Sequence, residues 1–284
     1  MITVPIIDTH LHLWDPARLP YPWLSGEPKL NRPHLLEDYR QATAGLPIEK
    51  MVFVQCEADF AAYRKEVDWV TEQAQQDTRL QAIVAWAPLE NGEAARDALA
   101  ELKTNPLLRG IRRIIQFESD PGFCLRPDFV RGVQLLADFD LHFEICIKGD
   151  DQWTNTLKLV QQCPGTRFIL NHIGKPFIKE KRLEPWSCHM RELATFPNVS
   201  CKLSGLANEA DWANWQPADL RPYLDHTMKC FGVNRVMFGG DWPVCTLATP
   251  YRRWAETLWQ ASSRLTEKER CGVFHDNAAA FYKI

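Results

Sequence analysis

Short apolar runs rich in Val, Ile and Phe recur along the chain, separated by stretches whose apolar positions repeat at helical spacing. Eight such runs are readable: Val4 to Asp8, Lys50 to Cys56, Gln81 to Pro88, Leu108 to Gln116, Leu141 to Ile147, Arg167 to His172, Val199 to Leu203 and Val236 to Asp241. Between them Ala94, Ala98 and Leu102, or Val130, Val133, Leu136 and Ala137, fall on one helical face and read as crossover helices. This is how a parallel sheet looks in sequence. Eight strands spread evenly over 284 residues favour an α/β fold of one domain, a (β/α)8 TIM barrel spanning residues 1–284, over an open doubly wound sheet. No glycine-rich phosphate loop follows the first strand, which weighs further against a nucleotide-binding open sheet.

Composition narrows the partners. A formal net charge of -3 supplies no broad basic field for nucleic acid or an anionic membrane, so a small-molecule substrate is expected. The nine cysteines are scattered singly, odd in number and without a CxxC pair, which argues against a disulfide framework and a zinc ribbon and fits a reducing compartment. The N-terminal segment reaches Asp8 too early for a secretory signal, and no apolar run is long enough to span a bilayer. A soluble, cytoplasmic protein is expected; its oligomeric state stays open.

In a barrel the reacting groups stand at the C-terminal ends of strands. There the chain places Asp8-Thr9-His10-Leu11-His12, Arg112 and Gln116, Asn171-His172, Lys202 and Ser204, and Gly239-Gly240-Asp241-Trp242. Residues two apart in a strand share a face, so His10 and His12 point together into the barrel mouth. Two histidines capping an ordinary strand would mean little; His172 and Asp241 at other strand ends give the pair its weight. Three imidazoles and a carboxylate suit hydrolysis, the imidazoles or an ion they hold polarising an acyl oxygen while Asp241 takes a proton from water.

Other positions have weaker claims. Glu57, after the second strand, reads as a substrate contact or as a helix N-terminal charge. Lys148 and Lys202 read as substrate-binding or as solvated strand ends. The long aperiodic segment from Leu13 to about Asn31 carries Trp14, Tyr21 and Trp23, a wall for a sugar ring or a loop packed on its own aromatics. Trp86 and Trp242 are candidates for the same wall. A second such segment runs from Lys175 to Ser187. His34, His189 and His226 receive no role.

The segments Ile7-Asp8-Thr9-His10-Leu11-His12-Leu13-Trp14-Asp15, Gly110-Ile111-Arg112, Leu170-Asn171-His172-Ile173-Gly174-Lys175-Pro176, Lys202-Leu203-Ser204-Gly205-Leu206 and Phe238-Gly239-Gly240-Asp241-Trp242-Pro243 resemble, in order, the motifs of the amidohydrolase-2 branch of the amidohydrolase superfamily. Within it the chain is similar to sugar-lactone hydrolases of the L-fuconolactonase and L-rhamnonolactonase kind, and Asn277 to Tyr282 resembles the family's closing helix. The resemblance implies a barrel in which Asp241 is the general base, His10, His12 and His172 surround a lactone carbonyl, and Arg112 and Lys202 hold substrate. It also implies a place in sugar catabolism. The chain departs from the family's metal-dependent members: His142 opens the fifth strand while its end reads Cys146-Ile147-Lys148, Asn171 stands where an aspartate is common, and His275 replaces a small residue. A binuclear centre is not expected. His10, His12, His172 and Asp241 suit one divalent ion, zinc, or none. Alternatives are an acidic lactone of dicarboxylate or muconolactone type with Arg112, Lys148 and Lys202 as countercharges, a metal-dependent decarboxylase of an aromatic acid, and a binding protein that keeps the barrel without chemistry.

Overall fold

The computed structural model describes all 284 residues. Its eight strands are β1 (Ile6–Leu11), β2 (Ile48–Val54), β3 (Leu80–Ala85), β4 (Leu108–Ile111), β5 (His142–Ile145), β6 (Arg167–Leu170), β7 (Val199–Leu203) and β8 (Val236–Phe238). Each pairs in parallel with the next in sequence. The ring closes beyond β8, where the Asp241 amide donates to His10 O at 2.7 Å and the His12 amide to Trp242 O at 2.8 Å. After each strand comes a helix: α1 (Leu36–Ala42), α2 (Tyr63–Gln76), α3 (Arg96–Lys103), α4 (Pro127–Leu135), α5 (Asp150–Gln162), α6 (Trp186–Leu193), α7 (Pro217–Phe231) and α8 (Tyr251–Ala261). Two further helices, α9 (Glu267–Cys271) and α10 (Asn277–Tyr282), end the chain. No helix is long and apolar enough to cross a membrane.

The expected strands are all present, several with different ends. The first begins at Ile6 and runs past Asp8 to Leu11, and the fourth stops at Ile111, after which the chain leaves the sheet to rim the mouth. In the crossovers Ala98 and Leu102 are buried as expected, but Ala94 and Ala137 are exposed. Gly92 at φ 59 breaks the chain before α3, so Ala94 lies outside that helix and Ala95 packs in its place.

Register in β1 decides where the first motif points. Asp8 pairs with Met51 but Leu11 with Phe53, so β1 carries one extra residue in a β-bulge. Ile6 and Leu11 pack in the large core between barrel and helices, whereas Ile7 packs inside the barrel. Unbroken alternation from Ile7 would send Leu11 inward; the bulge sends His10 and His12 there instead. Asp8 faces outward, accepting from the hydroxyls of Tyr39 in α1 and Tyr251 in α8, each at 2.9 Å, and from the Gly240 amide at 2.7 Å. Its carboxylate thereby ties β1 to the turn that carries Asp241.

The barrel interior is filled in layers. Ile7, Val52, Val54, Ala82, Val84, Ile169 and Met237 form an apolar floor that Ala278 and Tyr282 of α10 close from the N-terminal end of the strands. His142, Glu144 and Lys202 also point inward, all 0% exposed, with Glu144 opposite Ile169 and Lys202 opposite Met237 in register, and the histidines His10, His12 and His172 stand toward the mouth.

Candidate active site

His10, His12, His172 and Asp241 converge at the C-terminal mouth. Asp241 Oδ1 lies 3.7 Å from His10 Nε2, 3.7 Å from His12 Nε2 and 3.8 Å from His172 Nε2. These separations are too long for direct hydrogen bonds and leave room for a water oxygen or an ion among the four groups. Two of them rest on strained backbone, His172 at φ 52 and Asp241 at φ 57, and so does Glu57 at φ 53. Left-handed backbone costs a non-glycine residue about 1–2 kcal/mol, a cost native packing sustains most often at functional sites.

At His12 the second nitrogen fixes what the first one offers. His12 Nδ1 lies 2.7 Å from Val54 O, an acceptor only, so Nδ1 carries the proton and Nε2 presents a lone pair. His10 is faced by a donor on each side, Lys202 Nζ 3.4 Å from Nδ1 and Arg112 Nη1 3.3 Å from Nε2. A neutral imidazole has one lone pair, so it accepts from only one of these cations at a time. His172 Nδ1 lies 2.9 Å from the Ser204 hydroxyl, which accommodates either tautomer.

Burial holds the imidazoles neutral. It pushes His10 well below its usual range, with Lys202 adding, lowers His12 against the pull of Asp241, and brings His172 to about 3. Asp241 goes the other way. Burial pushes its carboxyl up, but His172 and His12 outweigh it and hold the group below the ordinary range. An anionic carboxylate thus faces three neutral rings.

The cavity above them encloses about 220 Å³ and is lined by His12, His172, Asp241, Arg112, Glu57, Trp14 and Trp23 together with Cys56, Ile114, Gln116, Phe117, Cys146, Lys175 and Val244. His10 lies just beneath this lining. Arg112 also donates through Nη2 to Gln55 O, and Gln55 Nε2 donates to the Glu57 carboxylate at 2.6 Å, so Arg112 and Glu57 are braced through one glutamine. Trp23 Nε1 donates to Cys56 O at 2.7 Å. Trp14 is fully buried, anchored by Nε1 to Arg32 O at 3.0 Å, and borders the cavity from within the protein. Behind Cys56, Glu66 of α2 is buried and accepts from the Cys56 amide at 3.1 Å; burial raises its carboxyl to about 8.

Three of the expected substrate-binding residues lie elsewhere. Lys202 sits a layer below the cavity, both Glu144 oxygens 2.7 Å away, because its strand position points inward but deep. Lys148 is drawn outward to Glu209 at 2.7 Å and borders a separate surface groove. Trp242 packs edge-on against His34 and Tyr39 beneath the first loop. Trp86 stacks on Phe60, and Tyr21 packs behind Trp14. Sequence reasoning passed over Lys175, whose Nζ donates to Gln116 Oε1 at 2.6 Å inside the cavity, and Glu144, the anion that fixes Lys202. Lys175 follows His172 and Ile173 in a run of positive φ that turns the loop back over the mouth. Its place in the His172 motif was the available signal.

The motifs, the closed parallel barrel and this mouth agree with known proteins. A family model described as Amidohydrolase matches residues 7–284. The chain is an amidohydrolase. It is 33% identical to L-fucono-1,5-lactonase of Burkholderia multivorans, over 98% of this chain and 96% of that one. It is 25% identical to L-rhamnono-gamma-lactonase of Scheffersomyces stipitis, over 98% of each. Among solved structures, an amidohydrolase from Burkholderia multivorans with bound zinc superposes with a TM-score of 0.89 at 32% identity, over 99% of this chain and 100% of that one.

The residues present fit one such ion. His10, His12 and Asp241 bring ligand atoms together, and His12 Nε2 has its lone pair already turned inward. His10 joins such a set when the lone pair of its ring lies on Nε2 and Nδ1 carries the proton. The β5 end presents Cys146 to the cavity and no histidine, which leaves a second ion without a histidine ligand there.

Proposed function

We propose that this amidohydrolase opens a small, neutral sugar-acid (aldono) lactone to the free acid. The single observation that carries the reading is the anionic Asp241 among three neutral imidazoles at the floor of a sugar-sized cavity. In this reading a water held between Asp241 and the His12 Nε2 lone pair attacks the lactone carbonyl while Asp241 accepts its proton. Arg112 Nη1–H donates to the developing oxyanion, and His10 and His172 complete the cage. As the tetrahedral carbon collapses, the ring C–O bond breaks and Asp241 returns its proton to the leaving alkoxide. A bound divalent ion, held by the histidines and Asp241, would supply Lewis-acid polarisation of the same carbonyl.

Charge in the cavity supports a neutral substrate. Glu57 and Asp241 offset Arg112 and Lys175, while Lys202 and Lys148, the cations an acidic lactone would need, are each already paired with a carboxylate. Glu57 offers acceptors for hydroxyl groups, and Trp23 and Phe117 give the apolar face of a sugar ring a surface. The nine free cysteines support a reducing, cytoplasmic setting in sugar catabolism.

A substrate panel tests this. Neutral aldonolactones, dicarboxylate lactones and hydroxybenzoates are assayed for acid production and carbon dioxide release. Turnover of the neutral lactones above the acidic ones is expected; preference for dicarboxylate lactones, or release of carbon dioxide, overturns the reading.

A further inference from the structure

At the end of the barrel opposite the mouth, α9 and α10 are joined by a π turn, Gly272–Asp276. In an α-helix residues five apart lie on different faces, but a π turn closes its ring between residues i and i+5. Here that geometry sets Asp276 over Cys271, with His275 beside both. Cys271 Sγ lies 3.7 Å from Asp276 Oδ1, and His275 Nδ1 lies 2.8 Å from the same oxygen. The ligand atoms of the three side chains all fall within 4.8 Å of one another. Cys271 and His275 are partly exposed and Asp276 is exposed, which leaves the cluster open to solvent.

The fourth participant comes from the sheet. Glu49 Oε1, on β2, lies 3.4 Å from His275 Nε2 on the far side of the ring. His275 is thus flanked by carboxylates, Asp276 at Nδ1 and Glu49 at Nε2. An ion that displaces the Nδ1 proton leaves Nε2–H donating to Glu49, the outer-sphere arrangement that orients metal-binding histidines. One thiolate, one imidazole and one carboxylate fill three positions of a tetrahedral ion, with water as the fourth ligand. We propose that Cys271, His275 and Asp276 form a divalent-metal site separate from the barrel mouth. Its thiolate and imidazole select borderline ions such as Zn²⁺ or Co²⁺ over Mg²⁺ or Ca²⁺. Burial and the neighbouring Asp276 raise the free thiol, so loading an ion there releases its proton.

The test uses the full-length protein, stripped of metal and titrated with Co²⁺, whose bond to a thiolate gives a charge-transfer absorption in the near ultraviolet. Wild type is expected to develop the band, and Cys271→Ser to lose it together with one bound ion per chain. His275→Ala should do the same, and serves if the serine variant fails to fold. Glu49→Ala should weaken cobalt binding by about 10- to 100-fold. Cys56→Ser, beside His12, and Cys230→Ser, whose sulfur lies 3.3 Å from His226 Nε2, should keep the band. A wild type without the band, a band that survives Cys271→Ser, or one removed by Cys56→Ser or Cys230→Ser overturns the proposal.

Discussion

Lys202 and Glu144 form an ion pair sealed inside the barrel, with Nζ 2.7 Å from both carboxylate oxygens and neither side chain exposed. Glu144 also accepts from the Tyr282 hydroxyl at 2.7 Å and from Asn171 Nδ2 at 2.8 Å, so the buried anion is fully solvated by protein. Burial pulls Lys202 down to about 8 against the opposing pull of Glu144, which leaves an ammonium at neutral pH with its third proton for His10 Nδ1. The pair positions a histidine rather than a substrate.

Lys202→Met should therefore cost about 3–5 kcal/mol, since it strands Glu144 uncompensated. Lys202→Met combined with Glu144→Gln should recover much of that stability in denaturant unfolding while kcat stays low and KM changes little. Full kcat in the single variant would show that the Lys202 contact with His10 does not matter to turnover.

Asp241→Asn keeps the shape of the side chain and removes its basicity. Lactone turnover should fall by about 10²–10⁴-fold with the thermal transition retained. A folded variant of near-normal rate would mean that another group takes the proton.

A Cβ on Gly240 would stand 2.2 Å from the Tyr251 ring and 2.6 Å from Asp8 Oδ2. Gly240→Ala should cost about 1–3 kcal/mol through overpacking and, by shifting the backbone beside Asp241, depress kcat. Unchanged melting and unchanged turnover together would contradict the tight fit of this turn.

Glu66 gives a pH signature. Burial raises its folded carboxyl to about 8 from an ordinary 4.5, so between those values the folded state holds a proton that the unfolded chain has released. This residue's contribution to stability is therefore lost as pH rises from about 4.5 to about 8 and stays lost above it. Glu66→Gln should flatten that slope; an identical pH profile of unfolding in the variant would contradict it.

Because the Arg112 guanidinium already stands in the cavity as a hydrogen-bond donor, protein stripped of metal and shown empty by elemental analysis should keep lactone turnover within a small factor. Loss of activity on stripping, restored by zinc alone, would assign the polarising role to the ion.

The barrel and the centre of its mouth were legible because they follow short-range rules. Apolar runs gave the eight strands, and the His10 and His12 spacing gave a shared face. The parity that turns this face inward depends on the one-residue bulge between Asp8 and Leu11, a pairing property that β1 alone does not carry. Depth was equally hidden. Lys202 lies on β7 and points inward below the cavity, whereas Asp241 stands on the cavity floor in a left-handed turn beyond the end of β8. Lys148 went outward because Glu209, distant in sequence, lies within reach. Lys175 and Glu57 owe their places to left-handed backbone, which residue type does not announce.

Tyr282 belongs to the last turn of the chain, yet its hydroxyl reaches the carboxylate that sets the pair under His10. With that ring wedged among Ile7, Val52 and Met237, the barrel is a flask with a stopper: water, lactone, acid product and the exchanged proton share one neck. Anything that occupies the neck, a retained product included, halts traffic in both directions, so release of the opened acid and entry of the next lactone compete for the same opening.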